Sequence, residues 1–178
     1  MAEEQNPAMT PDELNAAQFL IQRLYVKDVS FELPNAPKVF QDDGQADVKM
    51  SLAQRVEPLG EDLHEVVLTV TVTATIGEKT AYLAEVAQAG IFMIKGFNDQ
   101  AAHAVMNTMC PNTLFPYARH SISELVSSGG FPPLTLQPVN FEQLYAHRMQ
   151  EMAQQQQAAP DGDSNGSAVV DAEFPTDD

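Results

Sequence analysis

Four histidines, one cysteine and a scatter of carboxylates are the side chains of this sequence that could do chemistry. His64, His103, His120 and His147 are widely spaced, and none makes the close ligand pair of a zinc site. Cys110 is the only cysteine, so no intramolecular disulfide forms. Paired with a remote histidine it would be a nucleophile. A small buried thiol beside a helix start fits its surroundings better. There is no Gly-rich phosphate loop, no GxSxG and no CxxC, so neither a catalytic site, a metal site nor a cofactor is expected. Among the carboxylates, Asp28 and Glu32 share one strand face, and Glu85 shares a face with Leu83. General acid/base work needs a buried or strongly coupled carboxylate. Carboxylates on the polar side of alternating strands are solvated instead. That leaves two readings: solubility, or a docking patch for a basic partner.

The frame that positions these residues is legible from alternation. In Lys27–Leu33, Val29, Phe31 and Leu33 fall on one face, against Asp28, Ser30 and Glu32. This is the period-2 pattern of a half-buried strand. Pro34 and Pro37 end it. Ala46–Ala53 alternates again, with Val48, Met50 and Leu52 against Lys49 and Ser51. After a loop at Pro58–Asp62, Val66, Leu68, Val70, Val72, Ala74 and Ile76 oppose Val67, Thr69, Thr71, Thr73 and Thr75, a β-branched run suited to a strand. Gly77-Glu78-Lys79 is a tight antiparallel connection to a fourth strand, Thr80–Ile94, in which Gly90 marks a bulge or kink.

The second half reads as three helices. Asn98 caps a short one ending at Met109. Pro111-Asn112 resets the chain, and a second helix runs to about Ser127, with Pro116 in its first turn or else kinking it. Gly129-Gly130 stops it. Phe131–Pro138 holds three prolines and reads as an extended, polyproline-like crossover. Asn140 then caps a last helix carrying Phe141, Leu144, Tyr145, Arg148 and Met149. Strands followed by helices predict an α+β fold, a four-stranded antiparallel sheet with helices packed on one face.

Charge divides the chain into parts. The net charge is -16, and -11 of it lies within residues 1–20 and 151–178, which hold no base. The expected organisation is a flexible acidic arm at 1–18, a folded domain at 19–153 and a disordered acidic tail at 154–178. So acidic a chain is no free-standing nucleic-acid binder and no polybasic membrane-surface module. No apolar run approaches the roughly 18 residues of a membrane span, and no basic stretch followed by an apolar one opens the sequence. A cytoplasmic protein is expected.

Several long motifs carry a resemblance. Ile21-Gln22-Arg23-Leu24-Tyr25-Val26-Lys27-Asp28-Val29-Ser30-Phe31-Glu32, with Pro34-Asn35-Ala36-Pro37 after it, resembles the opening strand of the SecB protein-export chaperones. Cys110-Pro111-Asn112-Thr113-Leu114-Phe115-Pro116-Tyr117-Ala118-Arg119 resembles the main helix of that family. Pro132-Pro133-Leu134-Thr135-Leu136-Gln137-Pro138-Val139-Asn140-Phe141 resembles its crossover and last helix. The resemblance spans about Phe19 to Gln150. It implies a bacterial cytoplasmic homotetramer, a dimer of dimers, with no enzymatic activity. Such a protein holds unfolded preproteins translocation-competent and delivers them to SecA, the motor of the Sec translocase. By position it implies that Asp28, Glu32, Leu83 and Glu85 dock a basic, zinc-bearing C-terminal segment of SecA. It places Phe40, Val48, Met50, Leu52, Phe141 and Leu144 at a client-binding groove, and Ala84, Val86 and Gln88 at the oligomer interface.

The sequence departs from that pattern at Gly44, where some members carry Trp; this chain has no Trp. Ala84 replaces a Cys found in some. Two rival readings stand beside the export chaperone. One is an enzyme or small-ligand carrier, which needs an enclosed pocket with convergent polar groups, His or Cys110 among them. The other is a SecB-like chaperone serving a toxin–antitoxin pair.

Overall fold

The computed structural model describes residues 17–158. Four strands form one antiparallel sheet: β1 (Gln18–Glu32), β2 (Ala46–Pro58), β3 (Leu63–Ile76) and β4 (Lys79–Lys95). Their order is β1-β4-β3-β2, so β1 and β2 are the edges. A 3-10 turn at Lys38–Gln41 follows β1. Two helices complete the fold, α1 (Asp99–Ser128) and α2 (Phe141–Ala158). Helix α1 packs across β3 and β4, and α2 packs on α1. The α+β architecture expected from the order of elements is the one found.

Strand β1 begins at Gln18, three residues before the Ile21 of the family resemblance and well before Lys27, where the alternation was read. Its pairing with β4 skips between Ile21 and Arg23 and again between Val26 and Asp28. Each bulge inserts one residue, Gln22 and then Lys27, and reverses the phase of the alternation. The helix-side residues are therefore Phe19, Ile21, Leu24, Val26, Val29 and Phe31, a set with no single period.

At Gly77 the β3–β4 turn takes φ +61°, which glycine adopts without a Cβ penalty. Gly90 does not mark a bulge: β3 and β4 pair through it without a shift. Its role is close approach. An added Cβ would lie 2.6 Å from the Phe92 ring.

The two helices expected before the crossover are one. Helix α1 runs unbroken for 30 residues with Pro111 and Pro116 inside it. Each proline costs about 3 kcal/mol in a helix interior. Against that, Val105, Leu114, Phe115, Ile122 and Val126 are buried along one stripe, each worth about 1.5–3 kcal/mol. Burial outweighs propensity. Pro111 leaves the Asn107 carbonyl without its usual amide, and one residue earlier Gln54 of β2 donates to the Met106 carbonyl at 3.0 Å. The expected caps are present: Asn98 Oδ1 accepts from the Ala101 amide and Asn140 Oδ1 from the Gln143 amide.

Helix α2 continues to Ala158, so residues 154–158, read above with the tail, are helical. The remainder of the expected tail, and residues 1–16 of the expected arm, lie outside the described residues.

Candidate functional site

The helix side of β2 carries an apolar row in which Leu52 is buried and Val48 and Met50 are half-buried. Alternation places Val48, Met50, Leu52 and Gln54 on that side, paired with Ala74, Val72, Val70 and Leu68 of β3. As β2 is an edge strand, nothing beyond it in the sheet covers this row. At one end Leu52 lines a small cleft, about 30 Å³ in volume, between β2, α1 and α2. Phe141, Leu144 and Tyr145 of α2 form the far wall, with Leu68 beneath; Gln54, Asn107 and Arg148 supply the polar atoms. Phe141 is held edge-on to Phe115, ring centres 5.8 Å apart. Tyr145 meets His103 Nδ1 at 2.9 Å, which ties α2 to α1 beside the cleft.

At the other end of the row stands a run of aromatic rings. Val48 shares a cross-strand row with Ala74 and Tyr82. Tyr82 lies 5.0 Å from Phe131 of the crossover, and Phe131 lies 5.3 Å from Phe40. Phe40 is half exposed, at 51%. Gly129 and Gly130 let the crossover come this close. A Cβ at Gly129 would sit 2.4 Å from the Phe31 ring, and Gly130 takes φ +87°. From Val48 to Leu52 the strand rises about 13 Å, so the aromatic end and the cleft belong to one elongated surface.

Of the six groove residues expected, the structure gathers Leu52, Phe141 and Leu144 in the cleft. Val48 and Met50 are half-buried between its ends, and Phe40 stands at the aromatic end. Gln54, Asn107, Tyr145, Arg148 and Phe131 were not among them. Tyr145 and Arg148 were within reach, because they follow Phe141 and Leu144 at helical spacing. The position of Asn107 depended on the continuity of α1.

The opposite face of the sheet carries the charge. Glu32 pairs with Leu83, Ser30 with Glu85, and Asp28 with Ala87. Directly paired residues project to the same side, so Asp28, Glu32, Leu83 and Glu85 all lie on the outer face. Asp28 and Glu32 are exposed and form no ion pair among the described residues. Glu85 accepts from Thr71 Oγ1 at 2.7 Å.

Two bases on this face, Lys27 and Arg55, gather around Glu65. Lys27 donates to it at 2.6 Å, Tyr25 donates to its other oxygen, and Arg55 lies 4.0 Å away. The Lys27 and Tyr25 hydrogen bonds hold the Glu65 carboxyl below its usual range, although burial opposes this. The same contact, aided by burial, pushes the Tyr25 phenol up to about 12.

Ala84 and Val86 lie fully buried on the helix side of β4, and Gln88 is nearly so. These positions, which the resemblance assigns to the oligomer interface, sit within the chain's own core. Gln88 donates to the Tyr25 carbonyl at 3.0 Å. Cys110 is also fully buried, and burial pushes its thiol up to about 12. Neither Cys110 nor any histidine lines the cleft, the arrangement that an enzyme or carrier required. Among the described residues no three of His, Cys, Asp and Glu converge as a metal site would, and no helix is long and apolar enough to cross a membrane.

A profile of the family described as preprotein translocase subunit SecB matches residues 12–152. The chain belongs to the SecB family. The protein-export protein SecB of Xanthomonas campestris pv. campestris is 48% identical over 164 residues, covering 92% of this chain and 96% of its own. That of Nitrosococcus oceani is 45% identical over 153 residues, 85% of this chain and 93% of its own. Among solved structures, a SecB-like chaperone of Mycobacterium tuberculosis, in complex with a ChAD peptide from an antitoxin, superposes with TM-score 0.54. It shares 18% identity over 68% of this chain and 90% of its own, which shows a common fold. Against that SecB background, Gly44 gains a physical reading: a Cβ there would meet Ile76 Cγ2 at 2.8 Å, so any side chain requires Ile76 to move.

Proposed function

We propose that this SecB-family chain is an export chaperone that binds unfolded preproteins, keeps them translocation-competent and delivers them to SecA. The observation that carries the reading is the elongated apolar row on β2, walled by α2 and ending in the Phe40–Phe131 rings. An extended apolar segment laid along it meets Val48, Met50 and Leu52 in succession. Phe141 and Leu144 contact it from α2. Each contact is weak. Several around an assembly add by avidity, and a ligand that prefers the unfolded client holds it unfolded by mass action. No covalent step is needed.

The outer face supplies the second half of the reading. Asp28, Glu32 and Glu85 around Leu83 form an acidic patch with an apolar centre, suited to the basic, zinc-bearing end of SecA. Charge of this kind speeds encounter and weakens with salt. Assembly as a homotetramer, a dimer of dimers, is supported by edge strand β1. Its helix-side residues Ile21, Val26 and Val29 are 48%, 49% and 43% exposed, an apolar edge that a second copy would cover. Ala84, Val86 and Gln88 would influence assembly indirectly, by setting how α1 lies on the sheet. The expected site of action is the bacterial cytoplasm.

The test is light-scattering mass at micromolar concentration with and without an unfolded preprotein, using wild type and Leu144→Asp. A tetramer that gains one client in the wild type, and at least tenfold less readily in the variant, supports the reading. A monomer that ignores the client, or a variant that holds it equally well, overturns it.

A further inference from the structure

The cleft at Leu52, Phe141 and Leu144 contains one cation without a counter-charge. Arg148 is half-buried there and forms no ion pair among the described residues. A cation on an apolar wall suits an apolar segment that brings carboxylates with it.

Such a segment continues from the same helix. Residues 159–178 follow α2 directly and hold six acids and no base. Their large apolar residues are Val169, Val170 and Phe174. Val170, Ala172 and Phe174 recur at every second position, with Asp171 and Glu173 between them. In an extended chain this gives one apolar and one acidic face. The reach is sufficient. From Ala158 back to Phe141 is about 25 Å along the helix, and the twelve residues from Ala158 to Val170 span up to roughly 40 Å.

We propose that residues 168–174 fold back into the cleft of their own chain, Val170 and Phe174 against Leu52, Phe141 and Leu144, with Asp171 or Glu173 at Arg148. The tail is then an internal competitor for the surface that the proposed function assigns to clients; that consequence rests on the client reading, while the contact itself does not. A tethered segment acts at millimolar effective concentration. With an intrinsic affinity of the same order it lowers client affinity about two- to fivefold.

The test attaches a nitroxide to Thr176→Cys in the full chain; the buried Cys110 stays unlabelled. Broadening of the Leu52 and Leu144 methyl signals, unchanged on dilution and abolished by Val170→Asp with Phe174→Asp, is the expected result. Arg148→Gln should weaken it. Absent broadening, broadening lost on dilution, or broadening indifferent to the tail substitutions overturns the proposal. The same tail variant should bind reduced, carboxymethylated α-lactalbumin two- to fivefold more tightly; equal affinity overturns the competitor role. If broadening is present and no form binds that probe, the tail contact stands and the client reading fails.

Discussion

Gly90→Ala tests the packing logic of the sheet most directly. The new Cβ would lie 2.6 and 2.7 Å from two ring carbons of Phe92 and 3.0 Å from Leu24 Cδ2. Ordinary carbon contacts fall at about 3.5–4.0 Å, so the ring must retreat by about 1 Å. It has little room: Phe92 is fully buried and stacks on Phe19 with ring centres 5.6 Å apart. Overpacking of this kind costs about 1–3 kcal/mol. Alanine recovers about 0.5–1 kcal/mol of the backbone entropy that glycine loses in a strand. The expected net is a loss of about 1–2 kcal/mol, or roughly 3–8 °C in Tm for a domain of this size. Urea unfolding followed by circular dichroism measures it, with the m-value unchanged. Gly60→Ala is the control, because its nearest neighbour lies 4.0 Å away; it should stay within about 0.5 kcal/mol of wild type. Adding Phe92→Leu to Gly90→Ala should show a coupling above about 0.5 kcal/mol. A Gly90→Ala protein as stable as wild type, or one uncoupled from Phe92, would refute the close-approach account.

Four further outcomes follow from the same structure. Pro116→Ala restores an amide to an exposed turn of α1 and should stabilise by about 1–2 kcal/mol, whereas Pro111→Ala loses a buried ring and should stay within about 1 kcal/mol of neutral; denaturant midpoints separate them. Glu65 is held below its usual range, so the unfolded chain binds its proton first and stability falls as pH drops through that window, a slope that Glu65→Gln should flatten in a pH series of melting curves. Tyr25 is the reverse case: with its phenol pushed up to about 12, stability falls as pH rises from the ordinary value of about 10, and Tyr25→Phe should remove that alkaline slope. Asp28→Lys with Glu32→Lys should cut the association rate of a basic SecA C-terminal peptide at least tenfold at low salt and leave client holding intact, read by stopped-flow fluorescence; an unchanged rate removes both residues from the site.

Local pattern carried far in this sequence where one period held. The Val66–Ile76 run, the Asn98 and Asn140 caps and the Gly77 turn were all legible because each depends on neighbouring residues alone. The start of β1 was not, since two bulges shift its phase and hide the apolar side from a period-2 reading. The single helix α1 was not, since propensity penalises Pro111 and Pro116 locally while the compensating burial comes from β3 and β4, distant in sequence. The site divides the same way. That Asp28 and Glu32 share a face is visible within one strand, but their alignment with Leu83 and Glu85 needs the β1–β4 register. Ala84, Val86 and Gln88 show the limit: alternation gives them a common side without saying that this side is covered by the chain's own helix.

Cys110 turns out to be a built-in clock. Its thiol lies on α1 within the core, fully buried and protonated well past neutral pH. Alkylating reagents attack the thiolate, so modification in the folded state must wait for the helix to lift. The reaction rate thus reads the free energy of local opening in the wild-type chain, with no label introduced. Anything that grips α2 or the outer face and tightens the helix layer will slow that clock, and anything that loosens it will speed it up.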